Sequence, residues 1–232
     1  MSSDLSGFTK LFTTDPEEMI ALKRRVLGDV LPPKGRADAI YCVGGTTDTQ
    51  EQDLEIGSML WHAGHAKSIG VLRGTTTYGY CGFEFCCDRL MRRGRVPAAA
   101  IIPVDILPED EDRVNTRTEG KALLVHAGTY RWRTVIVCAP FFHQIRASST
   151  FVSLLNQQDP ELWIFNQPGE PGKIQQRVRH SQGVVEGDLL DLFISEFGRL
   201  FLYHNFGHIC SCAELIAYYD RRDQQHALHM YT

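Results

Sequence analysis

Short apolar runs alternate with longer amphipathic stretches along most of the chain, and this alternation predicts the fold. The run "ADAIYCVGG", Ala37 to Gly45, is a buried strand that ends in a tight turn at two glycines. Glu51 to Ala63 follows, with Leu54, Ile56, Met59, Leu60 and Ala63 near helical spacing. A second unit begins with a strand at Ser68 to Leu72, passes through the polar "RGTTTYGY", and enters a helix near Cys81 that stops around Gly94. Ala98 to Ile102 reads as a third strand, followed by a long polar loop, "PVDILPEDEDRVN", and a helix from Arg117 to Ala127. Thr134 to Ala139 is the clearest buried strand; a helix from His143 to Leu155 and a strand from Glu161 to Phe165 complete about five alternations.

The flanks read differently. Pro16 to Val26 predicts a helix closed near Gly28 and Pro32-Pro33. Near the other end, Leu189, Leu190, Leu192, Phe193, Phe197, Leu200 and Phe201 form one apolar stripe on a helix from Val185 to Tyr203, and a short helix follows Cys210. Strand, loop and helix units of this kind predict an α/β fold of three layers (α/β/α, Rossmann-like), with a mostly parallel sheet of about five strands and right-handed crossovers. The recognisable core spans residues 36–165, and residues 1–35 and 166–232 extend it within a single domain.

Composition narrows the class. A chain of 232 residues with 43% hydrophobic and 22% charged residues buries a core without help from metal or disulfide. The 24 basic residues against 28 acidic ones, a net charge of −4, provide no overall cationic surface for nucleic acid. The absence of an apolar run of membrane-spanning length predicts a protein that does not enter the membrane and resides in the cytoplasm. Seven cysteines, an odd number lying partly within apolar runs, read as buried thiols. His208, Cys210 and Cys212 supply too few ligands for a zinc site, so no metal is expected.

In an open parallel sheet the ligand crevice lies beyond the carboxyl ends of the strands, and the residues there are polar in this chain. Gly44, Gly45, Thr46, Thr47 and Asp48 follow the first strand, and Arg73, Gly74, Thr75, Thr76 and Thr77 the second. Glycines of this kind either form plain turns or let backbone N–H groups approach an anion, with threonine hydroxyls adding hydrogen bonds. Thr49 with Gln52 and Thr116 with Glu119 fit the spacing of a capping box, which leaves Asn115 as a binding candidate one residue earlier. His143 and Arg146, three apart, share a helix face: a proton exchanger beside a planar fork for phosphate or carboxylate. On a phosphate ester, His143 would act as acid or base and Arg146 as the anion clamp.

This order of motifs resembles the bacterial YdcF-like family, a domain of unknown function shared with the SanA and ElyC proteins. "DAIYCVGG" resembles the family's opening strand and glycine loop, and "LWHAGHAKSIGVLRG" its first helix and second strand. Glu84 and the "RRGRVP" turn, Asn115, Thr116 and Glu119 in "NTRTEG", and His143 and Arg146 in "PFFHQIRA" match further motifs, with a looser match at Glu196, Arg199 and Tyr203. The resemblance implies the soluble branch of the family, which is associated with S-adenosylmethionine, rather than the membrane-anchored branch linked to envelope and lipid-carrier metabolism. For such a nucleoside ligand, Asp48 or Glu84 would meet ribose hydroxyls and Tyr78, Tyr80 or Phe141 the adenine.

The expected function is therefore binding of a small nucleoside-type or phosphate-bearing molecule at the strand ends. Hydrolase or transferase chemistry on phosphate esters is the alternative, and an interaction protein that pairs with its own copy through the terminal helices is a third.

Overall fold

The computed structural model describes residues 16–74, 76, 79–112, 114–158, 161–170, 178–179 and 186–230. Helix α1 spans Pro16–Leu27, and strand β1, Ala39–Cys42, leads into α2, Thr47–His62. Then come β2, Ile69–Arg73; α3, Phe83–Arg92; β3, Ile101–Asp105; α4, Thr116–Tyr130; and β4, Thr134–Ala139. The chain continues through α5, Gln144–Gln158; β5, Trp163–Pro168; a short antiparallel pair, β6 at Val178–Arg179 and β7 at Glu186–Gly187; α6, Leu189–Asn205; and α7, Cys212–Met230.

The five long strands are all parallel, in the order β3-β2-β1-β4-β5. The order reverses between β1 and β4, which pair with Cys42 opposite Cys138, so the crevice beyond these two strand ends is the topological switch point. Residues alternate across the sheet as the pleat requires. Ala39, Tyr41 and Val43 of the β1 segment, with Val135, Val137 and Ala139 of β4, pack into a core shared with α1, α4, α5 and α7. Ile40, Cys42, Ile136 and Cys138 face the opposite core, closed by Leu54 of α2 and by Cys86 and Leu90 of α3. Helices thus cover both faces, and the fold is the three-layer α/β arrangement that the sequence predicts.

Element limits depart from the sequence pattern at several places: β5 runs Trp163–Pro168 rather than Glu161 to Phe165, and Glu186–Gly187 pairs as strand β7, so α6 starts at its Asp188 cap rather than at Val185. Ala98–Ala100 is a turn of 3₁₀ helix rather than strand, and β3 runs on through Pro103. A proline is tolerated there because β3 is an edge strand, where the missing N–H breaks no ladder on its outer side. Helix α2 begins four residues before the predicted Glu51, since its first turns bury polar residues that carry no apolar signal. The final helix spans 19 residues, far more than the short helix expected. Its Tyr218 hydroxyl donates to Leu162 O at 2.9 Å and accepts from Ile164 N at 2.8 Å. One turn on, Arg222 is paired with Asp29 at 2.6 and 2.7 Å, so α7 lies along β5 and joins it to the residues after α1. In the predicted α6 stripe Leu192 and Leu200 are buried, Phe201 is half-buried and Phe197 is exposed, while the Leu189, Leu190 and Phe193 side chains lie outside the described set. Among the described residues no helix is long and apolar enough to cross a membrane.

Candidate functional site

The amino end of α4 sets the register of the site. Asn115, not Thr116, is its N-cap: the Asn115 side chain accepts from Arg117 N at 2.9 Å and Thr118 N at 3.1 Å, and Thr118 Oγ1 accepts from Asn115 N at 3.0 Å. The capping box is therefore Asn115 with Thr118, and the Thr116–Glu119 box read from spacing is off by one residue. This shift makes Asn115 the helix cap while it still lines the cleft described below, and leaves Thr116 and Glu119, one step round, to point inward. The proposed box at Thr49 and Gln52 is also absent, because α2 begins at Thr47 and its N-cap is Thr46; the Thr49 hydroxyl instead donates to Thr46 O at 3.3 Å.

Thr116 meets the start of α5. Arg146 donates from one terminal nitrogen to Thr116 Oγ1 at 2.8 Å, and His143 Nε2 lies 3.3 Å from the same oxygen. The Glu196 carboxylate opposite the other ring nitrogen can only accept, which places the ring proton on Nδ1 and leaves Nε2 to accept from the Thr116 hydroxyl, whose oxygen takes the Arg146 N–H on a lone pair. Nδ1 faces Glu196 Oε2 at 3.4 Å. Glu196, from α6, also accepts from Arg146 Nε at 2.5 Å and its second terminal nitrogen at 3.2 Å, and from Arg199 at 3.2 Å. His143, Arg146, Thr116 and Glu196 are all buried, and the Arg146 guanidinium lies 5.7 Å from the centre of the Tyr203 ring.

Beside this cluster a cleft of about 250 Å³ opens between the start of α4 and the end of α6, lined by Thr116, Arg117, Lys121, Arg146, Tyr203 and His208 among others. Arg117 donates to His208 O at 3.2 Å, and Lys121 pairs with Asp110, also on the lining, at 3.0 Å. Four cations (Arg117, Lys121, Arg146 and Arg199) thus stand against two carboxylates (Asp110 and Glu196) in and behind the cleft. His208 registers the excess: its pKa is pushed down by burial and then by Arg117 and Lys121.

Glu119 links the cluster to the first glycine loop. Its Oε1 accepts from Gly44 N at 2.6 Å and from the Tyr41 hydroxyl at 2.7 Å. Burial raises its pKa to about 7, although the Gly44 amide, the Tyr41 hydroxyl and the Arg146 charge all favour the ionised form. Gly45 N donates to Gln50 Oε1. Both glycine amides read from sequence as facing an anion are therefore already occupied by side chains of the chain itself. Tyr80, a candidate adenine wall, packs over Gly44 and donates its hydroxyl to Leu72 O.

The remaining candidates do not converge with these. Thr46 is buried at the amino end of α2, with its hydroxyl 3.2 Å from that of Thr49. Thr47, Asp48, Thr76 and Glu84 are exposed, Gly74 is half-buried against Val114 and Ile106, and Thr75, Thr77 and Tyr78 lie outside the described residues. The strand ends thus bring together Thr116, His143 and Arg146, with Glu119 adjoining. The residue that organises them, Glu196, lies 53 positions beyond His143, where only the family resemblance pointed. No family model matches the chain, and no curated protein matches it.

Proposed function

We propose that the chain binds a small anionic molecule, nucleoside-type or phosphate-bearing, in the cleft beside Arg146. The observation that carries this reading is the surplus of cations there: Arg117 and Lys121 on α4 and Arg146 on α5 share one opening, backed by a buried hydroxyl. Arginine forks suit phosphate and carboxylate oxygens, and the first turn of α4 adds the positive end of a helix. Tyr203 offers a ring face at the same opening for a base or another flat group. S-adenosylmethionine, a net cation at neutral pH whose one anionic group is its carboxylate, is a candidate through the resemblance to the YdcF-like family alone, and the cation surplus does not favour it over a phosphate-bearing nucleoside. The same reading takes the ligand, rather than nucleic acid or a membrane, as the partner.

Calorimetric titration with adenosine 5′-monophosphate, S-adenosylmethionine and adenosine tests the proposal. The phosphate-bearing nucleoside should bind, adenosine should bind at least about tenfold more weakly, and Arg117→Ala with Lys121→Ala should erase that difference. Equal affinity for the monophosphate and adenosine would overturn the anionic reading.

A second reading, hydrolysis or transfer of a phosphate ester, draws on His143. It stands between a hydroxyl and a carboxylate, the arrangement in which a histidine gains and loses a proton in a fixed tautomer. His143→Ala should then abolish turnover of p-nitrophenyl phosphate while affinity for the monophosphate survives. Equal turnover in both proteins would remove this role.

A further inference from the structure

On the other side of the β1 carboxyl end, α2 buries two polar side chains that the Arg146 cleft does not use. Asp53 is 0% exposed and neither carboxyl oxygen has a hydrogen-bond partner. Gln50, one turn earlier and also 0% exposed, has its Oε1 held by Gly45 N, which fixes the amide orientation and leaves Nε2 unpartnered. An isolated carboxyl so fully removed from water is unfavourable unless something satisfies it. Among the described residues the groups that act on Asp53 electrostatically are Cys42, Glu119 and Cys81, none of them a cation, and burial, ahead of these neighbours, pushes its pKa well above the usual carboxyl range. The location is the sheet's switch point. A side chain at Gly169, just beyond β5, would begin 3.4 Å from Asp53 Oδ1 and 3.5 Å from both Phe141 N and Pro140 Cα, so the glycine leaves room for a methyl-sized group beside the carboxyl.

We propose that the Asp53 carboxyl and the Gln50 amide form a second binding site, separate from the Arg146 cleft, for an N–H-bearing cation flanked by an oxygen acceptor, as in a β-amino alcohol. The ammonium supplies the donors that both Asp53 oxygens lack, and the neighbouring oxygen accepts from Gln50 Nε2. Binding is coupled to ionisation: the Asp53 O–H bond breaks, its proton passes to solvent, and the resulting carboxylate accepts hydrogen bonds from the ammonium. Nothing is oxidised or reduced. Both groups are shielded from water, so local opening precedes uptake and association is far slower than diffusion allows.

Titration calorimetry with ethanolamine at pH 7, repeated in buffers of different ionisation enthalpy, tests this. Ethanolamine should bind with net release of protons; ethylamine, which lacks the acceptor, should bind about tenfold more weakly, and tetramethylammonium, which lacks N–H, should not bind. Asp53→Asn, near-isosteric, should abolish the proton release and weaken ethanolamine at least about tenfold. Gly169→Ala keeps Asp53 but fills the gap at ordinary contact distance, so it should fold and also lose ethanolamine. Failure of ethanolamine to bind, binding without proton release, or equal affinity in the Asp53→Asn protein would each overturn the proposal. None of these probes carries an anion, so the outcome is independent of the Arg146 cleft, where the nucleoside monophosphate remains the separate readout.

Discussion

Arg222 and Arg146 are both almost wholly buried, and each forks onto a carboxylate from a distant part of the chain: Arg222 onto Asp29, Arg146 onto Glu196. Around Arg222 the remaining directions are closed. It donates to Ile164 O and Asp223, and its guanidinium lies 4.1 Å from the Phe165 ring centre and 4.7 Å from that of Tyr219. Arg146 spends its third nitrogen on a hydroxyl that also faces a histidine, and it borders a cleft with two further cations. Burial and pairing are common to both and so do not mark function. What separates them is position at the carboxyl ends of the strands, an opening, and a proton-exchanging neighbour.

The comparison can be broken in several ways, beginning with the largest effect. Arg222→Ala leaves Asp29 buried and uncompensated and should cost about 3–5 kcal/mol in urea unfolding. Binding of adenosine 5′-monophosphate per folded molecule should not change, and a parallel loss of affinity would erase the distinction. Arg146→Ala leaves Glu196 still paired with Arg199 at 3.2 Å, so it should destabilise less than Arg222→Ala, but it should also weaken the monophosphate by at least about tenfold.

Glu119 sharpens the comparison through pH. Its folded pKa, about 7, lies above the usual 4.5, so the contribution to stability is complete below pH 4.5 and declines as pH rises through 7. A shift of that size corresponds to about 3 kcal/mol between the two limits. Glu119→Gln can still accept from Gly44 N and should flatten this part of the pH–stability curve; an unchanged curve would show that the carboxyl titrates normally. The smallest effect is expected from Thr116→Val, which strips Arg146 of one buried acceptor at a cost of about 1–2 kcal/mol in unfolding experiments. It should also shift any pH–rate profile governed by His143, which a purely structural threonine would leave in place.

The sheet was legible from sequence because strands buried on both faces read as continuous apolar runs, as Thr134 to Ala139 does without error at either end. The first turns of α2 were not legible. Thr49, Gln50 and Asp53 are polar yet buried, so the apolar periodicity starts only at Leu54. At α4, two adjacent residues that both cap well, Asn115 and Thr116, made the register ambiguous by one position, and that one position decides which side chains face the site. His143 and Arg146 were found because they are local to each other. Glu196, Asp53 and the occupied glycine amides depend on contacts across the fold, which no local pattern encodes.

Helix α7 has a consequence for the sheet as a whole. Leu162 O, Ile164 N and Ile164 O of the β5 segment are taken by Tyr218 and Arg222, and Asn166 N by Asp29. These are the groups left over on a terminal strand, where they would otherwise offer a template to a strand from another molecule. The opposite rim, β3, carries Pro103, which has no N–H to offer. Side chains occupy outward groups of β5 and Pro103 removes one outward donor from β3, so each rim of the parallel sheet is a weaker template for edge-to-edge pairing.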